Sequence, residues 1–328
     1  ICTGTAIYNI GNGSVVVKGG KVSTSAASVN SNSAISSVKG GSIEVSGGMV
    51  SGEGVPAIRT SIKPITVTIK DGAKVTSACT DVDIGTIVVQ MKGSVLNIEG
   101  GMVENTADSG NVIRNGDATV NISGGTVSAS GSGTVVNNAS DVSAVNISGG
   151  IVSATNGCAI YNNAEGTIII SENATITSAN SQTDNTDSAG TGTIFIKKVA
   201  DSIETAKVYL DIQGSAIVKN TANPEGYSVY FNDAKVTSEN LSQYYKKAEN
   251  ATVGKVHPEP TVATKPVPTA SSHDIYANGV DIKIVAGNTT GYTNILYDSD
   301  GDGQIEDTEY LKVGNVGPTA AGYDLSSY

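Results

Sequence analysis

The twelve residues DSDGDGQIEDTE at positions 298–309 combine carboxylates and glycines at spacings suited to a hard cation. Calcium takes roughly six to eight oxygen ligands around a tight loop. Asp298, Asp300 and Asp302 would supply carboxylates, Gln304 its backbone carbonyl, and Glu309 two oxygens that close the shell. Glu306 would bind directly or through a water, Gly303 makes the sharp turn, and Ile305 anchors the loop. The alternative is a solvated acidic turn, but six acidic groups this close repel one another without a cation. Calcium in a structural role is therefore the expected cofactor.

The spacing D-x-D-x-D-G-x-I-x-x-x-E resembles the calcium loop of an EF-hand. The flank departs from it: TNILY at 293–297 reads as a strand rather than a helix, and DIKIVA at 281–286 reads as another. The loop is also single, unlike a paired sensor or a two-loop dockerin. Residues 271–328 are thus expected to form a small β-rich module. Ahead of it, HPEPTVATKPVPT at 257–269 holds four of the eight prolines, the composition of an extended linker.

Other reactive side chains are sparse. His257 and His273, the two histidines, flank that linker and leave no imidazole for acid–base work on the first 250 residues. Asp81 and Asp83 form one DxD, a pattern that reads more readily as a polar loop than as a hydrolase pair. Cys2, Cys79 and Cys158 have no CxxC spacing and no neighbouring histidine, so they read as small buried hydrophobes. No catalytic residue is assigned. The two arginines, Arg59 and Arg114, share a column with Tyr8 and Tyr161, and these four make the candidate ligand face.

That column exists because the chain repeats. VNISGGTVSAS at 120–130 returns as VNISGGIVSAT at 145–155. Related turns begin at Gly19, Gly47, Asp71, Gly100, Gly124, Gly149, Glu172 and Gly214, in steps of 28, 24, 29, 24, 25, 23 and 42 residues. Ala6-Ile7-Tyr8-Asn9 keeps phase with them and recurs as Ala159-Ile160-Tyr161-Asn162. Around each turn the apolar residues alternate, Val120 and Ile122 and then Val127, which is the period of a strand with one buried face. A repeat of about 24 residues suits three short strands and three turns, one coil of a parallel β-helix. Right-handed winding follows from the crossover rule.

The fold class expected is all-β: a right-handed parallel β-helix of about eight or nine coils plus a small β-rich calcium-binding module. The expected domains are the β-helix over 1–237, a capping helix and Pro-rich linker over 238–270, and the module over 271–328. The capping helix is placed at 238–247 (SENLSQYYKK). Asn9, Asn115, Asn138 and Asn162 are expected to stack as a ladder at one bend.

A formal net charge of -11 argues against a nucleic-acid partner. No apolar run approaches the roughly 18 residues of a membrane span. The chain opens inside a repeat, as an excerpt of a longer protein would. Its architecture resembles the β-helix of pectate lyases and polygalacturonases, without their catalytic residues. The GG-x-V coils followed by ANGVDIKIVAG and YDSDGDG resemble repeat-rich surface proteins of Gram-positive gut bacteria. That resemblance implies an extracellular, wall-associated structural or adhesive protein. Its partner would be a host or cell-wall glycan or a protein ligand. The alternatives are a polysaccharide-binding protein that uses the solenoid flank and, behind that, a polysaccharide lyase or hydrolase.

Overall fold

A computed structural model describes residues 4–26, 32–181, 191–200, 207–222 and 226–260, together with the strands Ile282–Ala286, Thr293–Tyr297 and Tyr310–Leu311. The chain divides into two compact units, Ile1–Pro260 and Thr261–Tyr328.

The first unit is a parallel β-solenoid of about nine turns. Each turn contributes one short strand to each of three sheets, of ten, nine and nine strands among the described residues. The first sheet starts at Ile7–Asn9, the second at Ser14–Val17 and the third at Lys21–Ser25. The register never slips through the middle turns. Val120 lies beside Leu96 and Val145, and Val127 beside Val103 and Val152. Each pairing places like on like, so every inward Val or Ile meets its own counterpart one strand spacing, about 4.8 Å, away.

A single turn would leave those side chains half in water. Stacking removes them completely: Val67, Leu96, Val120 and Val145 are all fully buried. Burial of each such side chain contributes about 1.5–3 kcal/mol, which explains why the repeat must be repeated to fold.

The paired glycines serve two needs at once. Gly48, Gly101, Gly125 and Gly150 have φ between 71° and 76°, a region closed to most side chains. The turns also touch: a Cβ on Gly125 would lie 2.6 Å from the carbonyl carbon of Gly100. Where the sequence changes to Glu172-Asn173, Glu172 itself takes the left-handed conformation, with φ 53°.

The C-terminal end differs from expectation. The helix expected over 238–247 is a single 3-10 turn, Leu241–Gln243, followed by a strand, Tyr245–Lys247, that pairs in parallel with Leu210–Ile212. Thr252–Val253 and Lys255–His257 then extend the other two sheets. The expected boundary at 237 therefore falls inside the solenoid, and the linker expected from 257 begins within its last strand. A ten-residue helix gains little on its own in water, whereas a strand here inherits a ready edge and covers Leu210. This last turn is also its own stop. Lys247 stands in register with Ile147, Ile170 and Ile212 of the turns before it, but is itself exposed. Its ammonium donates to the carbonyls of Ala248 and Ala251, both at 3.2 Å. A charge on an edge strand discourages further stacking.

In the second unit, Ile282–Ala286 pairs antiparallel with Thr293–Tyr297, which pairs antiparallel with Tyr310–Leu311. Both strands read from DIKIVA and TNILY are present.

Candidate functional site

One residue of each strand in the first sheet faces away from the core, and these residues form one row. Tyr8, Ser36, Arg59, Val88 and Arg114 succeed one another in register. Asn137, Tyr161, Phe195, Tyr230 and His257 continue the row. The four residues of the candidate ligand face do share it, with the arginines two turns apart. They do not share an environment. Tyr8 is 59% exposed, Arg59 and Arg114 are half-buried, and Tyr161 is buried at 7%. Val88 and Asn137, which lie between them, are buried too. An exposed strip extends no further than the start of the row.

Arg114 shows what closes it. Its Nε donates to the carbonyl of Asp83 at 3.2 Å, and Nη1 to Asn137 Oδ1 at 3.4 Å. Burial pulls its pKa below the usual guanidinium value, and the charge of Asp83 opposes that pull. Asp81 and Asp83 are turn formers, since the Asp83 amide donates to Asp81 Oδ1 at 2.8 Å. Asn111 Nδ2 donates to the carbonyl of Val82 in the same loop. The loop therefore lies over the row, held by backbone carbonyls.

Further along, the row becomes a stack of rings. Tyr161 stacks on Phe195 with centroids 5.4 Å apart, Phe195 on Tyr230 at 5.8 Å, and Tyr230 on His257 at 4.3 Å. Tyr227 meets Tyr230 and His257 edge-on, and Lys255 lies over the Tyr227 ring. Such pairs are worth about 0.5–1.5 kcal/mol each beyond their buried area. Tyr161, Phe195 and Tyr230 form with Cys158 a second apolar cluster outside the main core, and Tyr227 packs against it. Sequence reasoning missed this stack. Its signal was an apolar residue followed by a ring in Ile160-Tyr161, Ile194-Phe195, Val229-Tyr230 and Val256-His257.

Two amide ladders run along the rod. Inside, Asn115 Nδ2 donates to Asn138 Oδ1 at 2.8 Å and Asn138 Nδ2 to Asn162 Oδ1 at 2.7 Å, all three fully buried. Asn162 finishes on the carbonyl of Gly166. Asn9 belongs to the same row but bonds to Ser37 Oγ, because Ser37 stands where the next asparagine would be. The second ladder, Asn97–Asn121–Asn146, was not foreseen. Its steps are 2.9 Å each, on the outer face of the second sheet. The signal was present in VNISGG itself.

Cys79 and Cys158 are free and buried, as expected, and burial pushes the Cys158 thiol up to about 12. Cys2 lies outside the described residues, as does His273. Among the described residues no group of three or more His, Cys, Asp and Glu could hold a metal ion. The proposed calcium ligands Asp298, Asp300, Asp302, Gln304, Glu306 and Glu309 also lie outside the described residues. The strands on either side of them are described, and Leu296 pairs with Tyr310. Among the described residues no helix is long and apolar enough to cross a membrane.

No family model, curated protein or solved structure matches this chain.

Proposed function

We propose that the chain is an extracellular, cell-surface structural or adhesive rod, non-catalytic, joined to a small module stiffened by calcium. The observation that carries this reading is the continuous stack of parallel strands on three faces over about nine turns. Such a stack is quasi-one-dimensional and presents a row of outward side chains, one per turn, along its length. The side chains best suited to ligand chemistry support the reading through the tasks they already have. Arg114 holds a loop, Asp81 and Asp83 shape it, and Tyr161 is sealed into a ring stack.

Calcium suits the donor set at 298–309, which is hard oxygen throughout. The pairing of Leu296 with Tyr310 brings the two ends of that segment together, so a bound ion would have only the loop between them to order.

Labelling intact source cells with an antibody raised against the solenoid tests the surface assignment. Labelling without permeabilisation supports it, and labelling only after permeabilisation refutes it. A carbohydrate-binding role has one observation of its own. Tyr8, the first described residue of the outward row, and Ile10 in the turn after it are each 59% exposed. An exposed tyrosine ring can stack on a sugar.

A further inference from the structure

We propose that the corner joining the first and second sheets, over the first four turns of the solenoid, binds a linear acidic glycan. The inference rests on the adhesive reading and names its partner.

The turns at this corner are residues 10–13, 38–41, 61–65 and 90–94, followed by 116–118, 139–143 and 163–166. They stack directly on one another. A Cβ on Gly40 would lie 2.8 Å from Asn12 Oδ1 and 3.9 Å from the carbonyl of Pro64, and one on Gly93 would lie 3.6 Å from Pro64 Cγ. Charge is sorted along the stack. Lys39, Lys63 and Lys92 occupy three successive turns, and Asp117, Asp141 and Glu165 the next three.

The two blocks are treated differently by the fold. Lys198 pairs with Glu165 at 2.9 Å, and Lys207 donates to the carbonyls of Asp141 and Glu165, so the next turn returns lysines over the acidic block. Among the described residues nothing equivalent covers the basic block. Lys39, Lys63 and Lys92 are all exposed, and none makes an ion pair among the described residues. Three like charges on successive turns, whose strands stack about 4.8 Å apart, repel one another and attract a polymer carrying regularly spaced anions.

An apolar companion is built in beside them. The Lys63 amide donates to the Ser61 carbonyl at 2.9 Å across Ile62, whose φ is 72°. This is a γ-turn of the rare positive-φ kind, strained for a β-branched residue. It holds the Ile62 side chain 60% exposed next to Lys63, with Ile10 exposed two turns below. Ammonium groups for the anions and apolar groups for the sugar C–H faces are the pairing an acidic glycan needs. A duplex nucleic acid keeps its apolar base faces stacked inside the helix, so the exposed Ile62 and Ile10 would have no counterpart on it.

The test uses the full chain on immobilised heparin as a sulfated glycan, alginate as a carboxylated one, neutral dextran, and vesicles of anionic phospholipid. Two variants of equal charge change are compared. One is Lys39→Gln/Lys63→Gln/Lys92→Gln; the other is Lys21→Gln/Lys74→Gln/Lys219→Gln, exposed on the third sheet. Melting temperatures establish that both remain folded. Salt-sensitive retention on heparin, alginate or both is expected, weakened about tenfold or more in the corner variant and little changed in the other. Which glycan retains the chain tells sulfate from carboxylate recognition. Retention on neither glycan, equal loss in both variants, or retention on vesicles alone would overturn the proposal. A chain displayed on intact cells that ignores both glycans refutes the basic stripe and spares the surface reading. A chain that is retained but never displayed does the reverse.

Discussion

Asn138 accepts a hydrogen bond from Asn115 and donates one to Asn162, at 2.8 and 2.7 Å, with no water access to any of the three. The amide is a link between three turns rather than a feature of one. Removing it strands a donor on one side and an acceptor on the other.

Asn138→Ala is expected to destabilise the solenoid by about 2–4 kcal/mol, because each buried group left unpaired costs about 1–3 kcal/mol. Asn121→Ala, in the half-exposed outer ladder, should cost about 1 kcal/mol or less, since water replaces the lost partner. Denaturant midpoints of the two variants read the difference directly. Equal losses would mean that the inner ladder is not sealed from solvent.

The glycine turns make a second comparison possible. Gly125 combines a φ of 76° with neighbours that would lie 2.6 Å from an added Cβ, whereas Gly19 has nothing within 4 Å. Gly125→Ala should cost about 1–3 kcal/mol in strain and displaced backbone. Gly19→Ala should be close to neutral in the same thermal melt.

Burial lowers the pKa of His257 from its usual value of 6.5; Glu259 opposes that shift and Lys255 adds to it. The folded state thus favours the neutral imidazole, stacked on Tyr230. The unfolded chain binds the proton more readily, so stability rises with pH across this window. The contribution is complete above about pH 6.5 and is lost as pH falls from there through the folded-state pKa. An imidazole resonance for His257 with a midpoint below 6.5, absent in His257→Phe, would bear this out. A midpoint above 6.5 would contradict the stacked, neutral ring.

Chelation is expected to lower the melting temperature and protease resistance of the second unit and leave the solenoid transition in place. Calorimetry should show calcium uptake that Asp300→Asn and Glu309→Gln abolish. Unchanged melting and proteolysis, with no uptake, would leave residues 298–309 as a solvated acidic turn.

Most of the architecture was legible because the forces that set it are local and repeated. A glycine pair with positive φ and an alternation such as Val120, Ile122 and Val127 specify a strand, a bend and an inward face without reference to distant residues. The inner asparagine ladder was legible for the same reason, since one position recurs in phase. What stayed hidden depends on neighbours out of phase. Tyr161 reads as outward, and it is, but the apolar-then-ring pairs that place Phe195 and Tyr230 over it are separated by irregular insertions that hide their phase. Residues 238–247 have a mixed pattern that suits a short helix, and only the open edge at Leu210–Ile212 turns 245–247 into a strand. The sorting of Lys39, Lys63 and Lys92 onto one corner likewise emerges only once the turns are superimposed.

The central claim, a rod that contacts and does not convert, is tested most directly by incubating the chain with a panel of polysaccharides, with calcium and with chelator. Retention and the release of reducing or unsaturated ends are recorded together. The account predicts no release from any substrate, whether or not the chain is retained. Time-dependent release that scales with protein concentration would contradict it and make the solenoid an enzyme.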